Sequence, residues 1–531
     1  MAPLFSAKNQ LARKANRLFR AIAYRVALLI LFAGIGINGH ADEADTLLTK
    51  PITISLPAEN LYNALNHIGE RAGCFFIYDS RDVRGSKRIK PVTWVNKPMY
   101  ELLNLLVADS LVSYRVIDRH ILIYRKSKDA HSGDSTRRES YLQVGGRLYD
   151  GETRQVITFA TVTLNEIGLG TITNNDGAFT MRIPSSFIHA SVVISHLGYQ
   201  SQTIPIELLL GKKYTIYLQP RYIPIQEVII RNIDARGIVT AMVENRYKNY
   251  ASNDVYLTGF YREGVSRNNQ YLGYSEAIFR IYKSAITEST SSDQVKLLKA
   301  RKLEKQDRSD TLTVKLMAGI KGTLEMDIAK SLPDFIDPEY MDSYTYSKSD
   351  IVAHDSRTAY AISFEQKKGV ELPLYMGTLY VDVENLALLA ADFELNPKYI
   401  EKAASSLIVR KNRSVKVKPQ QVSYSVSYRE LNGVYYVQHI RGDISVRISS
   451  RYRLFTDSYN LFFEFVNMQI DTLNVQRFSR RDVVKPYTVF SDGDFAYDAS
   501  FWGDMNFIEP EEDVARAIAR INPKIESVVG E

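Results

Sequence analysis

Apolar and polar positions alternate in short runs between Leu142 and Gln219. The runs are Leu142–Tyr149, Ala160–Leu164, Gly170–Thr173, Ala178–Ile183, Ser191–Ser195 and Tyr214–Leu218, with turn formers such as Asp150-Gly151 and Asn174-Asn175-Asp176-Gly177 between them. A period of two over many short runs predicts a β-sandwich for residues 141–220. Upstream the period changes. Leu61, Ala64, Leu65 and Ile68, then Met99, Leu102, Leu103 and Leu106, recur at helical spacing. Residues 51–125 read strand, helix, strand twice, at an offset of 38 residues that matches Ile54 with Val92, Tyr62 with Tyr100, and Asn66 with Asn104. Pro98 is expected in the first turn of the second helix.

Downstream, Asp234 is placed to cap a helix from Ala235 to about Tyr247, with Ile238, Val239, Met242 and Tyr247 on its apolar side. This helix and the stretch before it make residues 221–250 a connecting strand and helix. Residues 251–531 are then strand-rich. Val255–Tyr261, Tyr271–Tyr282, Tyr360–Phe364 and Thr378–Val383 are candidate strands, with Leu386–Leu395 returning against the last. Val422–Glu430 and Val434–Ile448 flank Asn432-Gly433, which predicts a hairpin. Many of these strands carry charges on both faces, unlike a membrane barrel with its apolar outer face. Lys296–Arg308 is strongly basic and reads as an exposed loop or loose helix. Glu511-Glu512-Asp513, followed by Val514, Ile518 and Ile521, predicts a C-terminal helix. The expected fold class is multidomain and mainly β with α+β: a small βαβ-repeat domain, a transthyretin-like β-sandwich, and a large curved antiparallel sheet with a terminal helix.

The sandwich segment carries specific motifs. Gly146-Arg147-Leu148-Tyr149-Asp150, Ala160–Leu164, the run from Gly170 to Phe179, and Ser195-His196-Leu197-Gly198-Tyr199 resemble the carboxypeptidase-regulatory-like domain common in Bacteroidetes envelope proteins. That resemblance implies an accessory spacer or interaction module, not the peptidase. Residues 51–125, through the repeat, Gly73–Asp79 and Ile121-Leu122-Ile123, resemble the secretin and TonB short N-terminal (STN) domain. In that family the domain lies in the periplasm before outer-membrane receptors or secretins, and in some receptors it signals to an anti-sigma regulator. Between the two, residues 126–140 are polar and read as a linker. Ile225–Ile230 resembles the stretch that follows the sandwich in TonB-dependent receptors, but no plug pattern follows. Gly259–Glu263, Tyr274–Ala277, and Phe501–Asn506 with Glu509-Pro510-Glu511 resemble an uncharacterised domain of proteins with this layout. The Gly377–Leu395 hairpin is similar to lipoprotein-carrier half-barrels.

Charge changes the picture only at the N-terminus. Six basic residues precede the apolar run Val26–Ile37, and Gly39-His40-Ala41 supplies small residues for cleavage, so residues 1–41 read as a signal peptide. They hold six positive charges and no acids, so the formal charge falls from +7 to about +1 once they are removed. The basic pI thus reports export, to the periplasm or the outer membrane, and not nucleic-acid binding. The single cysteine, Cys74, opens an apolar run and is expected in the core.

Chemistry is sparse. The eight histidines are dispersed, and no metal-ligand spacing, Walker A loop, dinucleotide fingerprint or nucleophile elbow is present. No catalytic, cofactor-binding or metal-ligating residue is expected. Arg262, Glu263 and Glu276 form the one polar cluster worth placing, with a cross-strand ion pair as its bland explanation. Asp382 and Asp392 read the same way. Arg441-Gly442-Asp443 spells an adhesion tripeptide, but inside a strand. Trp502 reads as a core anchor. The expectation is a non-enzymatic envelope protein, docking or scaffolding through its first two modules. The partners implied are a TonB-dependent receptor, a TonB-type protein or an anti-sigma regulator, with peripheral outer-membrane association. The alternative is a lipid or lipoprotein carrier.

Overall fold

The computed structural model describes residues 47–78, 83, 87–109, 112–117, 120–125, 141–211, 213–223, 234–268, 270–304, 315–316, 320–355, 357–404, 408–410, 415–450, 456–485, 505–511 and 514–516. The chain divides into two compact units, Met1–Ala130 and His131–Glu531. The signal-peptide segment, the 126–140 linker, Ile225–Ile230 and Trp502 lie outside the described residues.

In the first unit, β1 (Pro51–Leu56) pairs antiparallel with β3 (Val92–Pro98). Helix α1 (Leu61–Ala72) starts at Asn60, whose Oδ1 accepts from the Asn63 amide at 2.9 Å. It buries Leu61, Ala64, Leu65 and Ile68. Strand β2 (Phe75–Tyr78) runs parallel to β5 (His120–Arg125), which pairs antiparallel with β4 (Val112–Ile117). Helix α2 (Met99–Val107) buries Met99, Leu102, Leu103 and Leu106. Pro98 caps α2 and closes β3, one residue before the helix rather than in its first turn, because its ψ of 140° is extended. Cys74 is 4% exposed, and burial, offset in part by Lys50, pushes its thiol up to about 12.

The second unit opens with the sandwich. One sheet holds β6 (Tyr141–Asp150) between β12 (Lys213–Leu218), parallel to it, and β9 (Ala178–Pro184). The other runs β11 (Gln202–Pro205), β10 (Ser191–Ser195), β7 (Thr161–Leu164), β8 (Leu169–Ile172). Val162, Leu164, Val192 and Ile194 fill the inner face and are fully buried, so Thr161, Thr163, Val193 and Ser195 face outward.

Helix α3 (Ala235–Asn249) follows, capped by Asp234 as expected. It buries Ala235, Val239, Met242 and Val243, while Tyr247 is 48% exposed and lies under Arg246. The expected apolar side was drawn too far along the helix. Then come β13 (Val255–Arg267), β14 (Gln270–Lys283), β15 (Gln294–Glu304), β16 (Lys315–Leu316), α4 (Ile320–Glu325), β17 (Tyr344–His354), β18 (Arg357–Gln366), β19 (Tyr375–Asp382), β20 (Leu388–Leu395), β21 (Ile408–Arg410), β22 (Val415–Leu431), β23 (Val434–Ser450) and β24 (Asp457–Asp471). Ten of these form a curled antiparallel half-barrel in the order β15, β14, β13, β24, β23, β22, β20, β19, β18, β17. The chain reverses at Asn432-Gly433, both at positive φ (53° and 80°), as the hairpin turn requires.

Lys296–Glu304 is edge strand and not loop. It closes one end of the strand order, bridged on its outer side near Lys296 by Val483, and its cations discourage further pairing there, while Arg301 meets Glu276 across the ladder. One face of the half-barrel is covered by α3, α4 and residues 326–336. There the Phe335 ring stacks on Phe364 at 4.3 Å and meets Phe393 at 4.9 Å, and the Tyr428 hydroxyl accepts from the Ala329 amide. The sandwich joins the other face, with β8 bonded to β24 at Leu169 and Gln469. Of the expected C-terminal helix, Val514–Arg516 are helical and Val514 is buried; the rest lies outside the described residues.

Candidate functional site

A single register runs across all ten strands of the half-barrel. Ser347, Ser363, Thr378, Asp392, Ser425, Arg441, Glu464, Arg262, Glu276 and Arg301 are successive cross-strand partners. Directly opposed residues share a face, so these side chains form one polar stripe on the side the sandwich covers. Besides Asp392, the five residues from Arg441 onward are charged and alternate in sign: Arg441, Glu464, Arg262, Glu276, Arg301.

The predicted cluster divides here. Arg262 and Glu276 are paired in register, but each closes an ion pair with another neighbour. Arg262 Nε lies 2.5 Å from Glu464 Oε2 and Nη2 lies 2.6 Å from Glu511 Oε1. Glu276 takes Arg301 Nε at 2.5 Å and the Tyr274 hydroxyl at 2.7 Å. Arg262, Glu276 and Glu464 are all 0% exposed. Burial alone would pull the Arg262 guanidinium down, but Glu464 and Glu511 outweigh it and hold it well above its ordinary value. Glu263 does not belong to the cluster. As the next residue in the strand it points to the opposite face, where it accepts from the Tyr261 hydroxyl at 2.5 Å. Asp382 and Asp392 separate too. Asp382 is fully buried and pairs with Arg357 at 3.3 Å, whereas Asp392 is exposed and accepts from Ser425 Oγ at 2.6 Å. Arg441 and Asp443 chelate one another within β23 at 2.8 and 3.0 Å, which absorbs the adhesion tripeptide.

Two sequence motifs meet over this stripe. Asn506 mimics a strand, accepting from the Arg182 amide at 2.6 Å and donating to its carbonyl at 3.0 Å. Glu509 takes the Thr180 hydroxyl at 2.9 Å and Lys213 Nζ at 2.5 Å. From the sandwich turn, Asn174 donates to the Glu509 carbonyl at 3.1 Å and Asn175 to Glu511 Oε1 at 3.1 Å. The Glu511 carboxylate thereby ties the sandwich to Arg262 of the sheet. Residues 505–511 form a strap that fastens the two parts of the unit, and Ile172, Phe260, Ile278, Val466, Met468 and Ile508 close an apolar seam beside it.

On the far side of the seam the facing surfaces separate and enclose a cleft of about 750 Å³. The sandwich wall presents Thr161, Thr163, Val193 and Ser195, the sheet wall Tyr380, Asp392, Ser425, Ser427 and Arg429. Three of the eight dispersed histidines, His196, His354 and His439, also line it. Burial holds His196 and His354 below the ordinary imidazole value, although acceptors and carboxylates nearby pull the other way. His439 Nε2 lies 2.9 Å from Glu464 Oε1, and its ring stacks on Phe159 with centroids 4.7 Å apart. Among the described residues, no group of three or more His, Cys, Asp or Glu is arranged to hold a metal ion. Sequence reasoning did not find this cleft. Its lining comes from eight strands and adjoining loops spread between positions 158 and 439, and the hydroxyls that face it read as ordinary outward positions of a sheet.

Arg429 closes the cleft at the sandwich end. It is 6% exposed and donates to the Gly168 carbonyl at 2.8 Å and the Leu169 carbonyl at 3.2 Å. The close approach needs Gly170, where a Cβ would stand 2.4 Å from Arg429 Nη1. Burial pulls this guanidinium down to about 9, and among the described residues no carboxylate pairs with it.

Residues 144–230 match the CarboxypepD_reg-like domain, which confirms the resemblance for the sandwich and extends ten residues beyond its expected end. No curated protein matches the chain. Among solved structures, a DUF1329 family protein from Desulfovibrio piger is 10% identical, covering 46% of this chain and 95% of its own, with a TM-score of 0.21. Lipovitellin is 7% identical over 44% of this chain and 27% of its own, also at 0.21. The ferripyoverdine receptor of the outer membrane of Pseudomonas aeruginosa is 10% identical over 75% of this chain and 56% of its own, at 0.13. At such TM-scores none of these likenesses bears on function.

Proposed function

We propose that this chain is a non-enzymatic component of the cell envelope that docks or scaffolds protein partners. One observation carries the reading. Arg262, from the polar cluster singled out in the sequence, is bound by Glu511 of the strap that fastens the regulatory-like sandwich to the half-barrel, and Glu276 is taken by Arg301. A general acid or base needs a shifted group within reach of substrate in a cleft. Arg262 and Glu276 are instead paired with opposite charges and excluded from solvent. The export pattern at residues 1–41 and the regulatory-like domain support an envelope setting. The first unit, which resembles a secretin and TonB short N-terminal domain, would supply the docking face for a receptor or an anti-sigma regulator.

The test is a crosslinking pull-down of residues 42–531 expressed in a native-type envelope. Capture of a TonB-dependent receptor or a regulator's periplasmic domain, lost when residues 42–125 are deleted, is the expected result. Recovery of lipid or acylated cargo with no protein partner would overturn it in favour of a carrier. Carriage by the helix-covered face would require displacing Phe335 from its stack on Phe364 and Phe393.

A further inference from the structure

We propose that the cleft between sandwich and half-barrel binds a short acidic saccharide, a polyhydroxylated ligand bearing a single carboxylate. The proposal goes beyond the docking reading and does not depend on it, since the cleft lies wholly within the second unit.

A volume of about 750 Å³ falls in the range of small-ligand sites, roughly 300–1,000 Å³. Both walls are sheet faces and not edges. β7 and β10 each have neighbours on both sides, as do β20 and β22. An extended peptide therefore finds no free backbone ladder to join, and recognition falls to side chains. Those side chains are rich in hydroxyls: Thr161, Thr163 and Ser195 on one wall, Ser425 and Ser427 on the other. A hydroxyl both donates and accepts, and so matches a ligand made of hydroxyls. Against an acyl chain the same groups would lose water and gain nothing.

Two charges in the cleft lack a charged partner among the described residues. Arg357 is answered by Asp382 and Glu430, and Asp355 faces His354 Nε2 at 3.7 Å besides taking the Ser201 hydroxyl. Arg429 has only carbonyls as partners, and its Nε has none. A buried cation without an anion is unfavourable, so a ligand carboxylate arriving beside Arg429 restores the missing charge. Asp392, exposed and bonded to Ser425, offers acceptors to sugar hydroxyls and repels a second anionic group on the ligand. Its strand partner Ser425 lies four residues from Arg429, about 13–14 Å along β22 at the usual strand rise. That separation suits a ligand with its carboxylate at one end and hydroxyls at the other. Phe159 adds a half-buried aromatic face in the cleft wall. It holds φ at 59°, a conformation that a bulky residue keeps only when its surroundings impose it, here with His439 stacked against it.

The test titrates the mature chain, residues 42–531, with uronic-acid oligosaccharides and their uncharged counterparts, using calorimetry and saturation-transfer NMR. The expected result is saturable binding of an acidic oligosaccharide, at least tenfold tighter than the uncharged sugar. Arg429→Gln should abolish that preference. Because Arg429 also holds the Gly168 turn, Thr163→Val with Ser427→Val provides a second variant, expected to weaken binding at least tenfold while far-UV dichroism is unchanged. The proposal is overturned if no acidic sugar in the panel binds, if neutral and acidic sugars bind alike, if binding survives the double valine variant, or if a short peptide competes for the cleft more strongly than any sugar.

Discussion

Arg262 on β13 and Glu464 on β24 are directly opposed and wholly buried, with Nε 2.5 Å from the carboxylate. His439, Arg441 and Glu511 join the cluster, and the Arg262 guanidinium answers one carboxylate from the sheet and another from the strap. Removing one member of such a pair is far more disruptive than replacing both.

Arg262→Met should therefore lower the unfolding free energy of the second unit by about 3–5 kcal/mol, because Glu511 loses its buried cation and Glu464 keeps only His439 and the more distant Arg441. The double variant Arg262→Met, Glu464→Leu should recover part of that loss. Denaturant unfolding of the four members of the cycle measures the coupling, and strict additivity would contradict the pairing.

Acid should weaken the second unit. Burial pushes Glu464 up, but Arg262, His439 and Arg441 outweigh it and hold the carboxyl well below the usual range. Asp293, buried between Lys283 and Lys330, is likewise lowered on balance. Both groups bind protons more tightly in the unfolded chain. Their contribution is thus complete above the unfolded carboxylate range near pH 4 and disappears as pH falls toward the depressed folded values. Stability measured from pH 7 to pH 2 should fall gently below about pH 6.5, where His196 and His354 protonate more readily in the unfolded chain, and more steeply below about pH 4 as the carboxylates follow. Glu464→Gln should reduce the slope of that fall.

Loosening the strap should be visible locally. Asn506→Ala removes both bonds to the Arg182 backbone and should cost about 1–2 kcal/mol. Amide exchange should quicken at β9 and at residues 505–511 while the far strands β17–β19 keep their protection. Uniform quickening across the half-barrel would show that the strap is not a separate fastening.

Cys74 should be chemically silent in the native chain. With its thiol pushed up to about 12 and the residue 4% exposed, little thiolate forms at pH 8. A thiol reagent should react no faster than the first unit opens, and rapid labelling in native buffer would contradict the burial.

The local elements were legible because each is announced by its own residues. Asp234 caps its helix, Asn432-Gly433 turns the longest hairpin, and alternation marks Val162, Leu164, Val192 and Ile194 as the sandwich core. Of the strands that escaped notice, β24 and β15 did so for a clear physical reason. In β24, Leu461–Met468 is apolar on both faces apart from Glu464 and Asn467, because one face meets the half-barrel core and the other meets the sandwich. The two-residue period that reveals a half-exposed strand is absent there. In β15 the lysines and arginines of an edge masked the pairing. The candidate site was legible only in fragments. Arg262, Glu276 and Asp392 could be singled out, but sequence could not show that one register joins them to Ser347 at one edge and Arg301 at the other.

By itself, then, the sequence determined the kinds of parts this protein has: a two-helix α+β unit, a regulatory-like sandwich and a long antiparallel sheet. These depend on interactions among residues a few positions apart. Tertiary structure alone decided which charges neutralise one another, that residues 505–511 bind the turn at Asn174-Asn175, and that Arg429 and Asp392 face one cleft. Such choices rest on strand order and register over hundreds of residues. A shift of one position in a single strand would turn every side chain of the stripe to the other face.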